Sequence, residues 1–179
     1  MQVARVFVND VLESNDSPIE SDDATTVDPV SCGREGNQPL IIGLPNIQSE
    51  ADRIAEELNH AHSEGVAWSD MAIICRGPRL MDICANAMRR RGLPHQVRKK
   101  SGDFNPANDA VTILNMHVSK GLEFPIVAIP GIGELPLPGK DVAAEAQLLY
   151  VACTRATSKL ILTSSADSEF TKRIEALPH

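Results

Sequence analysis

The strongest constraint on this chain is a set of short, unbroken apolar runs separated by amphipathic stretches. The runs are Leu40-Ile41-Ile42-Gly43-Leu44, Met71-Ala72-Ile73-Ile74-Cys75, Val111-Thr112-Ile113-Leu114, Ile126-Val127-Ala128-Ile129 and Leu160-Ile161-Leu162. Each has the length of a strand, and continuous rather than alternating apolar character marks strands buried on both faces. Helical patterns lie between them. Ser49 begins one, with Asp52 three residues on as a capping-box-like acid and Ala51, Ile54, Ala55 and Leu58 as its inner stripe. Arg79 to Arg91 forms a second, closed by Gly92 and followed by Pro94, Val142 to Arg155 a third, and Asp167 to Leu177 a closing one. This alternation predicts an α/β domain, a parallel sheet covered by helices on both faces. A length of 179 residues suits one such domain with a real core.

The N-terminal part reads differently. Gln2 to Ser14 sets Val3, Val6, Phe7, Val11 and Leu12 at helical spacing, and Asn15 to Asn37 is a loop-like stretch rich in Asp, Ser, Pro and Gly. The expected division is therefore 1–38, a helix and a long acidic loop, and 39–179, the α/β unit. No apolar run approaches the roughly 20 residues that span a bilayer, and acids in MQVARVFVNDVLESN are unlike a secretory signal. The expectation is a cytoplasmic protein with no membrane partner.

Charge and cysteines narrow the classes further. Cys32, Cys75, Cys84 and Cys153 contain no Cys-x-x-Cys pair, so they read as reduced thiols, with no metal site legible. The net charge of −7 does not advertise nucleic-acid binding, although a local patch can still hold phosphate. Arg89, Arg90, Arg91, Arg98, Lys99 and Lys100 bring together six of the 17 Lys and Arg residues without an intervening acid. That cluster reads either as a solvated helix end or as a phosphate contact.

Two segments carry more chemistry than a generic fold requires. Asn115-Met116-His117-Val118-Ser119-Lys120-Gly121-Leu122-Glu123-Phe124 is a polar run between two buried strands. It is expected to form a loop at a sheet end, where open α/β sheets bind ligands, and Gly121 allows a close backbone approach. A connecting loop with no site is the plain alternative. Glu145-Ala146-Gln147-Leu148-Leu149-Tyr150-Val151-Ala152-Cys153-Thr154-Arg155-Ala156 is a largely apolar helix with an arginine at its far end. A lone arginine there is ordinarily a partner for the helix dipole.

These two segments resemble motifs V and VI of UvrD/Rep-like superfamily 1 helicases, T-x-H-x-x-K-G-L-E-F and L-L-Y-V-A-x-T-R-A, in the same order and separation. Asp70 to Arg76 is similar to that family's strand before an arginine, and Gly92-Leu93-Pro94-His95 to its Gly-Ile-Pro-Tyr turn. The resemblance spans about residues 40 to 165. It implies the second RecA-like lobe of an ATP-dependent DNA helicase or translocase, working across a cleft from an N-terminal RecA-like lobe of the same protein. By resemblance, Arg155 is the arginine finger on the γ-phosphate, and Gly121 and Glu123 contact the nucleotide, the glutamate at the ribose hydroxyls. Asn115, His117, Ser119 and Lys120 lie toward single-stranded DNA. ATP with Mg2+ is expected to be bound mainly by the other lobe.

Three departures qualify this. No phosphate loop G-x-x-x-x-G-K-[ST] is present; the nearest run, Gly133 to Lys140, has one residue too many and continues into Asp141. The chain alone is expected to be an inactive, monomeric fragment. Only Gln96 to Val111 stands where UvrD and Rep carry their large inserted 2B subdomain, and Asn115 stands where the family usually has Thr. A non-catalytic RecA-like interaction module is the competing reading.

Overall fold

The computed structural model describes residues 38–98 and 108–176. The expected N-terminal helix and loop, Cys32, Lys99, Lys100 and Leu177 lie outside them. Six strands form one wholly parallel sheet: β1 (Leu40–Gly43), β2 (Met71–Cys75), β3 (His95–Arg98), β4 (Val111–Asn115), β5 (Phe124–Ile129) and β6 (Ala156–Ser164), in the order β1-β6-β5-β2-β4-β3. Among the described residues four helices cover it: α1 (Ile47–Ser63), α2 (Pro78–Arg90), α3 (Val142–Cys153) and α4 (Glu169–Glu175).

Side chains of a strand alternate between faces, and the core divides accordingly. Met71, Ile73 and Cys75 of β2 join Val111, Ile113, Ile126, Ala128 and Ile161 under α1 and α2. Ala72 and Ile74 join Leu114, Val127, Ile129 and Leu162 under α3 and α4. β2 lies between β4 and β5, and all five of its residues are buried. The outer strands are β1 and β3, and Ile41 on β1 is 36% exposed.

The expected α/β architecture is present, with two local corrections. α1 begins at Ile47, not Ser49. Asn46 is its N-cap, accepting from the Ser49 backbone N–H at 2.8 Å, and asparagine caps as well as serine does. Asp52 is accordingly no capping acid; it pairs with Arg90 at 2.7 Å. β3 carries no apolar run, so its pairing with β4 escaped the pattern reading. It is an edge strand, where one side of the backbone needs no partner and polar residues are tolerated.

Gly133, inside the run nearest to a phosphate loop, has a packing reason instead. A Cβ there collides with the Ala166 carbonyl oxygen and the Ser164 hydroxyl, where the β5-to-α3 connection crosses the end of β6. Gly133→Ala should therefore cost roughly 1–3 kcal/mol, read from urea denaturation. Gly121→Ala meets open space and strains only its positive φ of 82°. If the two variants lose equal stability, the crowding at Gly133 is not what limits it.

Candidate functional site

The geometry of the two chemistry-bearing segments follows from strand direction. β4 ends at Asn115 on the carboxyl edge of the sheet, and β5 begins at Phe124 on the amino edge. Residues 116–123 therefore cross a face of the sheet rather than forming a loop at one end. That corrects the expectation of a loop confined to one sheet end. A parallel strand pair requires such a return crossing. Met116 and Leu122 pack into the cluster under α3, and the Met116–Val118 turn packs against α3 itself.

α3 runs the same way. Its first residues stand near the end of β2, through Glu145 and Arg76, and Arg155 follows its last turn at the start of β6. The two segments are thus one packed unit with two ends.

At the amino edge, the Arg155 guanidinium donates Nε–H to Val151 O (3.0 Å), Nη1–H to Leu122 O (3.2 Å) and Nη2–H to Thr154 Oγ1 (3.1 Å). Its carbonyl accepts the Phe124 N–H at 2.9 Å. Arg155 is therefore bonded to both residues that flank Glu123. No carboxylate pairs with it among the described residues. An arginine carries five N–H donors, so one on each terminal nitrogen is left over. Glu123 and Lys120 are exposed, and Gly121 turns the backbone at φ +82° with Leu122 N–H donating to Ser119 O at 3.1 Å. The left-handed φ there suits glycine.

At the carboxyl edge, Asn115 Nδ2 donates to Arg76 O (3.2 Å) and its Oδ1 accepts the His117 N–H (3.0 Å). The His117 ring is exposed beside a cavity of ≈ 380 Å³ lined by Pro78, Met81, Asp82, Asn115, His117 and Val118. Ser119 is fully buried and donates to Met116 O at 2.7 Å, so its side chain is not offered to a ligand. Asn115, His117, Lys120, Gly121, Glu123 and Arg155 are solvent-reachable; Ser119 holds the crossing in shape.

Sequence reasoning missed the pairing of Arg76 with Glu145. Arg76 donates Nε–H to Oε2 at 2.9 Å and Nη2–H to Oε1 at 2.6 Å. Nothing links residues 69 apart in sequence; the available signal was a lone acid in the apolar α3 run. The guanidinium holds the Glu145 carboxyl below the usual carboxylate range. A lowered carboxyl contributes stability above its unfolded value of about 4.5, and that contribution is lost as pH falls through the folded value. The melting temperature should therefore drop on acidification below about pH 4.5, and less steeply in Glu145→Gln. Parallel pH profiles for the two would remove Glu145 from the acid limb.

Two arginines of the basic cluster are paired with acids. Arg90 pairs with Asp52 and Arg91 with Glu56, both at 2.7 Å, across the α1–α2 interface, and Arg89 donates to Asn86. The solvated-helix-end reading therefore accounts for Arg89, Arg90 and Arg91. Cys75, Cys84 and Cys153 are buried free thiols, and burial pushes the Cys153 thiol up to about 12. No helix among the described residues is long and apolar enough to cross a membrane.

Comparison with known proteins bears on these segments directly. Residues 98–167 match the UvrD-like helicase C-terminal domain. The chain is 40% identical over 70 residues to the ATP-dependent DNA helicase PcrA of Leuconostoc citreum, covering 35% of this chain and 9% of that protein. It is 41% identical over 69 residues to DNA helicase II of Escherichia coli, covering 35% and 10%. It is 44% identical over 57 residues to the ATP-dependent DNA helicase srs2 of Schizosaccharomyces pombe, covering 30% and 6%. The match thus spans about a tenth or less of the length of these relatives. Among solved structures, the C-terminal domain of a possible DNA helicase from Lactobacillus plantarum WCFS1 has the same fold. Its TM-score is 0.67 at 21% identity, over 97% of this chain and 91% of that one.

Proposed function

We propose that this chain is the second RecA-like lobe of an ATP-dependent DNA helicase or translocase, completed by a first lobe that carries the phosphate loop. The observation that carries it is the amino edge. Arg155, bonded on both sides of Glu123, keeps N–H donors on its two terminal nitrogens and has no carboxylate partner among the described residues.

Arg155 acts as the arginine finger. Its planar fork places two N–H groups against the γ-phosphate as charge builds on the phosphoryl oxygens. Glu123 accepts the ribose hydroxyls, and the turn at Gly121 brings the backbone to the nucleotide. Among the described residues no three carboxylate, imidazole or thiol groups converge to hold a metal ion. Mg2+ is assigned to the first lobe, and it supplies charge neutralisation on the phosphates when bound. The duty of this lobe is to complete the cleft.

Single-stranded DNA is assigned to the carboxyl edge, at Asn115 and His117, with Lys120 on the exposed part of the crossing. Aromatic residues are only 3% of the chain, and Phe124 is buried, so this lobe holds the strand by its phosphates rather than by stacking. A labelled thymidine oligonucleotide bound by the chain should show log K falling with log[salt], by about 0.7 per phosphate contacted. Binding that ignores salt refutes the phosphate assignment. Glu123→Ala, in the protein carrying both lobes, should raise the Kd for ATP several-fold with turnover at saturation little changed. Equal ATP affinity in the two proteins removes Glu123 from the nucleotide.

A further inference from the structure

The functions assigned so far leave the Arg76–Glu145 pair unused. Its side chains are 13% and 3% exposed, and its geometry is bidentate. A buried pair of this kind is weak evidence for stability, since apolar residues of similar volume often do as well. What a bidentate fork adds is geometry: it fixes distance and angle between the two elements that carry it.

Those elements matter here. Arg76 is the first residue beyond β2, and its carbonyl is held by the Asn115 side chain, which also caps the turn bearing His117. Glu145 lies in the first turn of α3, which packs against that same turn. Arg155 follows the last turn of α3, ten residues on and roughly 15 Å along the axis at 1.5 Å per residue. One rigid helix thus has the ion pair at one end and the arginine at the other. An axial shift of α3 either breaks the fork or moves the backbone at Arg76, and with it Asn115.

We propose that Arg76 and Glu145 are positioning residues that couple the two edges of the lobe, tying the placement of Arg155 to the conformation of the Asn115–His117 strand end. This rests on the motor-lobe reading above. Nucleotide engagement at one edge then changes the grip on the strand at the other, and the reverse holds by linkage.

The test uses the complete protein with Glu145→Gln, Arg76→Lys and the exchanged pair Arg76→Glu with Glu145→Arg. ATP turnover is measured without DNA and with saturating thymidine oligonucleotide. The expected result is basal turnover within about twofold of the parent, and DNA stimulation lowered at least about fivefold in each single variant, the lower range of typical couplings. The exchanged pair should recover part of the stimulation. Stimulation unchanged in both single variants overturns the coupling role. So does a parallel loss of basal and stimulated turnover, which marks a merely structural pair. If the parent protein turns over no ATP, the motor-lobe reading itself is overturned and the coupling falls with it. Hydrogen exchange on the unaltered protein supplies a second measure should a variant not fold. A non-hydrolysable ATP analogue alone should slow exchange at residues 115–118 as well as in the first turn of α3; slowing confined to the amino edge overturns the proposal.

Discussion

Arg155→Ala should lower ATP turnover of the two-lobe protein by about 10³-fold or more, the effect of removing an arginine finger in related phosphoryl transfers. The loss belongs to kcat rather than to ATP affinity, because the fork is matched to charge that develops in the transition state. A structural explanation predicts something much smaller. Arg155 caps its own helix through Val151 O, and a cation at a helix C-terminus is worth about 0.3–1 kcal/mol. A 10³-fold loss corresponds to about 4 kcal/mol of barrier, so activity and melting temperature separate the two. Arg155→Lys should fall between, since a point charge remains without the planar fork. Steady-state turnover of Arg155→Ala equal to the parent would remove this side chain from the chemistry.

The second large effect is on stability. Phe170, in the first turn of α4, is fully buried in the cluster beneath α3, with Leu162 and Ile174 in the same cluster. α4 has only seven residues and depends on that anchorage, together with a capping box at Ser168 and Thr171. Phe170→Ala should cost about 3–5 kcal/mol, the transfer term plus the cavity left behind. Urea denaturation of the chain measures it directly. Cooperative unfolding with a loss below about 1 kcal/mol would mean that the face collapses around the deletion or that α4 contributes little.

Much of the fold was legible because its strands announce themselves. Met71–Cys75 matches its expected range residue for residue, since a central strand covered on both sides reads as a continuous apolar run. β6 is longer than the run Leu160-Ile161-Leu162 because its first residues, Ala156 to Lys159, pair with β5 at the amino edge, where polar residues remain wet. β3 was illegible for the same reason in reverse. Of the site, the residue types at 117, 121, 123 and 155 were readable, but the separation of His117 from Glu123 and Arg155 onto opposite edges came from the fold. A linear motif does not by itself state that it starts at one end of a sheet and finishes at the other; that follows once the runs flanking it are read as the parallel strands β4 and β5. Ser119 illustrates the remaining gap. A serine in a polar run looks available, and the fold uses its hydroxyl to close a turn.

The two outer strands also bear on what copies of this lobe do to one another. Among the described residues β1 and β3 have no outer neighbour; such a parallel edge invites a foreign strand, and an exposed Ile41 adds to the hazard. Pro39 and Pro45 bracket β1, and Pro94 immediately precedes β3. Proline has no N–H to donate, so the ladder that β1 offers is short, a four-residue strand lying between its two prolines, and that of β3 is interrupted at its start. Those prolines shorten the backbone ladder that the described edges offer to a second copy.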